Sequence, residues 1–411
     1  MSDPAGRSDG PLAGLKVLDM TRVLAGPSAT QMLGDLGADV VKVERPGMGD
    51  DTRKWGPPYL RDGSGRDTTE SAYYLSANRN KRSLTLDFTK PDGQAIAHRM
   101  IAGADVLVEN YKPGNLDRYG LGYGQLKDRY PSLIYCSITG FGTTGPYAAR
   151  PGYDVLIQAM GGIMSVTGEP DGAPMKVGVA IADLMAGMYA TVAVLAALAH
   201  RDRGGQGQHI DMALLDAQVA WLSNAGQYFL TSGEATPRLG NAHPMIVPYQ
   251  AFRAADDYLI LAVGNDAQFA KFCGVAGRPE LADDPRFATN QQRVRNREVL
   301  VPIVAGLIVE RPCAHWLAEL AAFGVPCGPI DGIDRVFADP QVAARGMRIE
   351  MDHPLAADPI ALIGSPFKLS ASPVAYRRPP PTLGQHTDEV LREWLGLTDA
   401  EIGSLRADAV V

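Results

Sequence analysis

LKVLDMTRVLAGPSATQMLGDLGADVVKVE, residues 15–44, is the stretch whose reading decides the fold. It opens on a short apolar run, Leu15 to Met20, that suits a strand. A turn containing Ala25, Gly26 and Pro27 follows. Apolar residues then recur at helical spacing from Ser28 to Leu36, with Pro27 near the helix start. Gly37 ends the helix, and Asp39 to Glu44 reads as a second strand. Strand, helix and strand in so short a stretch make a βαβ unit, which implies parallel strands and a right-handed crossover.

The alternation continues outward. Ser83 to Phe88, Ala104 to Glu109, Leu133 to Ile138 and Gln208 to Met212 read as strands, and Gly93 to Ala102 as a helix. Asp183 to His200 is almost wholly apolar and reads as a long buried helix, and another helix runs on from Ala213. The expected fold class is α/β, a doubly wound parallel sheet in a large Rossmann-like domain over residues 11–225. Residues 1–10 read as a frayed polar tail. From Thr231 to Pro248 the chain turns rich in Gly, Pro and polar residues. A smaller α+β domain with its linker is expected over 226–345, with strands at Tyr258 to Val263 and near Pro326 to Ile330, and helices at Gln268 to Val275 and Val299 to Leu307. Residues 346–411 read as an extended, proline-rich segment closing on a helix near Thr387 to Leu395.

The chain has 411 residues and a formal net charge of -7, which argues against a generally basic nucleic-acid binder. Cys136, Cys273, Cys313 and Cys327 form no CxxC pair, so the reading is reduced thiols with no zinc site. The N-terminus lacks the pattern of a secretory signal. Met188 to Ala199, the most apolar helical stretch, is short for a bilayer span. A soluble, cytoplasmic protein with no metal is expected.

The first βα turn is where an open α/β sheet takes a phosphate. A dinucleotide site would carry G-x-G-x-x-G there; Thr21 to Pro27 has one glycine, which counts against nicotinamide or flavin. Glu44 stands where a ribose-binding acid would, yet Arg45 follows it, and an arginine fork suits a phosphate. A solvated Glu44–Arg45 surface pair is the plain alternative. Three basic clusters, Asn80-Lys81-Arg82, Asn110-Tyr111-Lys112 with Arg118, and Arg150 to Asp154, flank strands and together suggest a phosphorylated ligand. Asp183 opens the long apolar helix. A helix N-cap is its ordinary role, whereas a collar of Ala182, Ala186 and Gly187 would leave room for a substrate beside a carboxylate steadied by the helix dipole. No G-x-S-x-G elbow occurs, and the histidines lack metal-ligand spacing; His243 stands out only because it lies in the Gly- and Pro-rich loop.

Taken in order, several stretches resemble the family III coenzyme A transferases (CaiB/BaiF, formyl-CoA transferase-like). They are Gly14 to Asp19, Ala25-Gly26-Pro27, Lys42 to Pro46, Asn80 to Ser83, Val108 to Tyr111, Gly140 to Gly142, Gly145 to Tyr147 and Leu383 to Thr387. The resemblance spans nearly the whole chain. It implies Asp183 as the nucleophile. It implies coenzyme A contacts at Leu24, Ala25, Arg45, Leu86, Asp87, Phe88, Thr89, Asn110, Tyr111, Lys112, Arg118, Arg150 and Tyr153. Thr89 departs from the lysine of formyl-CoA transferases, with Lys90 adjacent. The four-glycine lid of those enzymes is replaced by Gly240-Asn241-Ala242-His243-Pro244. That loop and Ala262 to Phe269 look more like the succinyl-CoA:dicarboxylate branch, which includes the glutarate transferases.

The implied activity is transfer of coenzyme A from an acyl-CoA, with succinyl-CoA the leading donor, to a dicarboxylic acid through an aspartyl-CoA thioester. Arg22 and His243 are candidates for the distal carboxylate, with Gly240 and Asn241 in the lid. Acyl-CoA is then substrate, no cofactor is held permanently, and an interlocked homodimer is implied. The alternative on the same fold is an α-methylacyl-CoA racemase. Those enzymes carry His-Asp where this chain has Tyr153-Asp154, so a second base is missing here.

Overall fold

The computed structural model describes residues 10–411, so the tail expected at residues 1–10 lies, but for Gly10, outside the described residues. The chain divides into two compact units. The first comprises residues up to 161 together with 178–223 and 340–411; the second comprises 162–177 and 224–339.

Six strands build the sheet of the first unit: β1 (Lys16–Met20), β2 (Asp39–Glu44), β3 (Lys81–Thr85), β4 (Val106–Glu109), β5 (Ile134–Thr139) and β6 (His209–Ala213). Their order is β3-β2-β1-β4-β5-β6, and every pairing is parallel. This is the doubly wound order in which the strand sequence reverses between β1 and β4. The helices that matter for the site are α1 (Ala25–Asp35), α2 (Pro91–Ala102), α3 (Asp154–Met160), α4 (Ile181–Arg201) and α5 (Thr387–Leu395).

Successive side chains of a strand point to opposite faces, and both faces here are apolar. Leu18, Met20, Val41 and Leu84 pack with Ile96 and Met100 of α2 and with Val390 and Leu391 of α5. Val17, Val40, Val106 and Ile134 pack on the other side with Ala29 and Leu33 of α1 and Ala186, Ala190 and Val194 of α4. A sheet covered on both faces needs near-continuous hydrophobic strands, which is how β1, β2, β4 and β5 read. α4 starts and ends beyond the stretch expected to be too short for a membrane. At 21 residues it is long and apolar enough to cross one by length and composition. Its Ala182, Ala186, Ala190 and Val194 are buried, whereas Leu184, Met188, Tyr189 and Val192 are exposed, so the helix is apolar all round but covered on one side only.

Within the α1 face lies a buried ionic grid. Lys81 Nζ sits 3.0 Å from Asp19 Oδ2, and Lys42 Nζ lies 2.9 Å from Asp50 Oδ2; all four side chains are fully buried. Buried charges persist only when paired and hydrogen-bonded. Thr21 and Thr30 donate to Asp19, and Lys42 donates to the Thr21 carbonyl. Burial opposes ionisation of Asp19, but Lys81 and Lys42 outweigh it and hold its carboxyl well below the usual range.

The Asn80-Lys81-Arg82 cluster is therefore not a ligand site. Lys81 belongs to this grid. Arg82 pairs with Asp39, Glu389 and Glu393. Asn80 donates to Asp35 and to the Ala375 carbonyl. The expected strand at 83–88 starts two residues earlier, and the cluster sits at its amino end, away from the ligand-binding rim.

The proline-rich segment contains strands at Arg348–Met351 and Ile360–Ile363, an antiparallel pair that the sequence reading missed. Beyond them the chain covers the β3 edge, where Gly384 N–H donates to Ser83 Oγ and His386 N–H to the Ser83 carbonyl. An edge strand covered this way offers no template for another chain.

In the second unit, Cys327–Pro329, Tyr258–Ala262 and Tyr249–Arg253 form an antiparallel sheet in that order. Its core gathers Phe252, Leu259, Leu261, Phe269, Phe272, Leu300, Val304 and Trp316. The end of the Gly- and Pro-rich loop is tied down. Arg293, fully buried, donates to the Val247 carbonyl, Asn290 bonds Val247 N–H and the Met245 carbonyl, and Arg297 donates to the Pro244 carbonyl. Gly240 has φ +59°, and a Cβ there would lie 2.9 Å from the Glu169 carboxylate, so glycine is required.

Candidate active site

Two cavities open in the first unit at the carboxyl ends of its strands, on either side of the β1–β4 switch point. One encloses about 410 Å³ and the other about 350 Å³, and Arg22, Asp51, Tyr111 and Asn115 line both. The loops after β1 and β4 are joined directly. Arg22 N–H donates to Asn110 Oδ1, and Asn110 Nδ2 donates back to the Arg22 carbonyl. Next to this clasp Val23 has φ 72°. A β-branched residue in the left-handed region is strained. Its N–H is held by Asp50 Oδ1, the carboxylate paired with buried Lys42, so the ionic grid fixes the turn from below.

The larger cavity is lined by Arg45, Leu86, Asp87, Phe88, Thr89, Tyr111 and Arg118. Phe88 meets Tyr111 and Tyr119 edge-on, giving an aromatic wall, and Arg45 and Arg118 are exposed cations on its rim. This arrangement suits a ligand with phosphates at one end and flat or apolar groups beside them. Lys90, adjacent to Thr89, is committed elsewhere: its Nζ donates to the Asp408 and Ala409 carbonyls. Glu44 is neither a ribose acid nor half of a surface pair with Arg45. It is buried and takes a two-pronged bond from Arg53, both distances 2.8 Å.

The smaller cavity is lined by Leu24, Ala25, Asn110, Lys112, Arg150, Tyr153 and Asp183. Gly140, at the end of β5, lies so close to Gly152 that a Cβ on either would collide with the other's backbone, which lets the Arg150–Tyr153 turn lie over the strand. Arg22 pairs with Asp51 at 2.8 Å, each side chain 46% exposed. Every residue expected at the coenzyme A site, together with Arg22 and Asp183, thus lines one or both cavities. Gly240, Asn241 and His243 belong to the second unit. There His243 Nδ1 accepts Met245 N–H, which leaves Nε2 as the ring's donor when neutral.

Asp183 is the third residue of α4, not its cap. The cap position is Ala180, which has no side chain to offer. Asp154, the first residue of α3, supplies the oxygen instead: its Oδ1 accepts from Ala182 N–H at 2.8 Å and from Asp183 N–H at 3.4 Å. The Asp183 carboxyl is released from capping and faces the cavity. Burial, then the Asp154 charge, push its pKa from 3.8 up to about 7. The small residues around it do not make room for a substrate. Ala182, Ala186 and Gly187 are buried against α1, and a Cβ on Gly187 would lie 2.6 Å from the Ala25 carbonyl oxygen. They bring α4 close to α1, which sets Asp183 beside the β1 turn.

Three further residues at the site went unrecognised in the sequence. In the sequence Asp154 stands out only as part of a polar cluster and as the second residue of the pair that racemases carry as His-Asp. Trp55 lines the smaller cavity and packs edge-on against Tyr73, ring centroids 5.1 Å apart. The Tyr73 hydroxyl is pushed up to about 12 by burial and by the charges of Asp183, Asp154 and Asp50. Trp55 and Tyr73 lie around a small irregular hairpin, Tyr59–Arg61 with Asp67–Ser71, whose sequence has no clear period.

Comparison with known proteins agrees with this geometry. The family model described as CoA-transferase family III matches residues 12–387. The chain is 49% identical over 385 residues to the succinate–glutarate CoA-transferase of Agrobacterium fabrum, covering 93% of this chain and 95% of that one. It is 46% identical over 401 residues to the human succinyl-CoA:glutarate CoA-transferase, covering 98% and 90%. The crystal structure of a CAIB/BAIF family protein from Brucella suis superposes with a TM-score of 0.83 at 48% identity, covering 94% of this chain and 100% of that one. With a parallel sheet of this order, two cavities at its switch point and a match over nearly its whole length, the chain belongs to CoA-transferase family III.

Proposed function

We propose that this enzyme moves coenzyme A from succinyl-CoA to a short dicarboxylic acid of the glutarate type, with Asp183 as the covalent nucleophile. The observation that carries the reading is Asp183 itself: an uncapped, half-buried carboxyl facing a cavity whose rim bears Lys112 and Arg150. The substrates are those named for the Agrobacterium fabrum and human relatives.

An Asp183 carboxylate oxygen attacks the succinyl carbonyl carbon; that C–O bond forms as the C–S bond breaks, and the electron pair leaves on the coenzyme A thiolate. The thiolate then attacks the aspartyl carbonyl carbon. A C–S bond forms, the anhydride C–O bond breaks, and succinate departs. The acceptor carboxylate attacks the aspartyl thioester and expels the thiolate, which returns to the acceptor's acyl carbon and frees Asp183. Every step exchanges one activated acyl group for another, so charge balances without ATP. Arg45 and Arg118 would hold the phosphates of coenzyme A, Phe88 and Tyr111 its flat and apolar parts, and Leu24, Ala25, Asn110 and Tyr153 the arm reaching Asp183. Arg22, whose partner is Asp51, would exchange it for the distal carboxylate of the acceptor. The chemistry requires that water be kept from the anhydride. The exposed Leu184, Met188, Tyr189 and Val192 of α4 support burial in a homodimer.

The test is intact-mass analysis of enzyme quenched during turnover with succinyl-CoA. A coenzyme A adduct on the wild type and none on Asp183→Ala, which should still bind coenzyme A, is the expected result. A fully active Asp183→Ala enzyme rejects the mechanism. If glutarate yields no glutaryl-CoA while another acid class does, the acceptor assignment fails alone.

A further inference from the structure

Asp154 occupies a position that the reaction steps above leave unused. Its Oδ1 takes the second and third N–H groups of α4, and its Oδ2 takes Gln158 Nε2 at 2.7 Å. The N–H groups of a helix start and the helix dipole favour an acceptor of negative charge at that position. Asp154 Oδ1 lies 3.4 Å from the Asp183 amide nitrogen. An asparagine, serine or threonine would cap the helix as well. The choice of a charged cap places a fixed negative charge next to a second carboxylate, an arrangement that costs the folded chain energy without improving the cap.

We propose that Asp154 is the positioning residue of the nucleophile: it orients Asp183 by capping α4 from outside and destabilises the Asp183 carboxylate by like charge, so that forming a covalent adduct is favoured. In the anhydride and in the aspartyl-CoA thioester, Asp183 is uncharged, and the electron pair has passed to the coenzyme A sulfur or to the departing carboxylate. Each covalent state therefore relieves the repulsion that the resting state carries, and a more basic carboxylate is also the stronger nucleophile. The other titratable groups about this cavity are Tyr73 and Tyr111, whose hydroxyls burial pushes up, the Arg22–Asp51 pair, and the exposed Lys112, Arg150 and Tyr153. Only Asp154 adds repulsion to the burial that raises Asp183.

The inference rests on reading Asp183 as the nucleophile, and the experiment keeps the two apart. Asp154→Asn retains an oxygen for the helix N–H groups but removes the charge; Asp154→Ser is a second neutral cap should the first fail to fold. Single-turnover formation of the coenzyme A adduct would be followed from pH 5 to 9 on the full-length enzyme. For the wild type we expect an acid limb near pH 7. For the neutral variants we expect that limb to move down by roughly one unit and the plateau rate to fall about tenfold or more, with an unchanged KM for succinyl-CoA. A neutral variant that matches the wild type in limb and plateau overturns the role of Asp154, as does one whose only loss is thermal stability. No adduct on the wild type itself rejects the nucleophile reading instead.

Discussion

Replacing Asp183 by asparagine should make the folded protein more stable at neutral and alkaline pH and leave it unchanged in acid. Asp183 is raised from 3.8 to about 7 by burial and by Asp154. The folded chain therefore keeps a proton that the unfolded chain has released between those values, and stability falls as pH rises through that window. Fully expressed, such a displacement costs about 4 kcal/mol once the group is ionised. The cavity admits solvent to this half-buried carboxyl, so about 2 kcal/mol is the expected gain for Asp183→Asn above pH 7.5. In a unit of this size that is roughly 3–4 °C in Tm. The assay is thermal unfolding of both proteins followed by circular dichroism, at constant ionic strength, in half-unit steps from pH 3 to 8.5. The difference in Tm should be near zero at the acid end, open between about pH 4 and 7, and then stay level. A constant difference across the range, or a variant less stable than the wild type at pH 8, would refute the reasoning. The stored energy is the one that covalent chemistry at this residue would draw on, which links the stability measurement to turnover.

Gly187→Ala should destabilise the protein by about 1–3 kcal/mol, because the new methyl falls 2.6 Å from the Ala25 carbonyl oxygen and α1 and α4 must part; a lower Tm together with a loss of kcat checks it. Lys81→Met leaves Asp19 as a buried charge short of its partner and should cost about 3–5 kcal/mol, measured by urea unfolding at pH 7. Arg45→Ala and Arg118→Ala should each raise the KM for succinyl-CoA about tenfold or more while leaving the KM for the acid nearly unchanged, since each removes one charge-assisted phosphate contact. Arg297→Ala removes the bond to the Pro244 carbonyl, and faster amide exchange over residues 243–248 is the expected result.

Much of the first unit was legible because its signals are local. An apolar run, a Pro near a helix start and a Gly at its end specify β1, α1 and β2 within thirty residues, and the same pattern repeats for α2, β4 and β5. The positions expected to contact coenzyme A came from resemblance, and they all line the two cavities because strand ends and the loops after them share one rim. What went astray depended on partners remote in sequence. The basic cluster at Asn80 to Arg82 looks like a ligand site until Asp19, Asp35, Asp39 and Glu389 are brought to it by β1, α1, β2 and α5. Small residues around Asp183 looked like room for substrate until α1 filled that space. The hairpin beside Trp55 and Tyr73 has no periodicity to read.

The amino-acid sequence by itself determined the parallel sheet and the order of its elements, since these follow from periodicity, turn residues and motif order along the chain, and resemblance put Asp183 forward as the candidate nucleophile. Tertiary structure alone decided what that carboxylate is free to do. Asp183 is not a cap because Asp154, twenty-nine positions away, supplies the acceptor in its place. A side chain's charge and reactivity are set by what surrounds it in space, and those neighbours come from α1, α3 and the β1 turn, which no window of sequence around residue 183 contains.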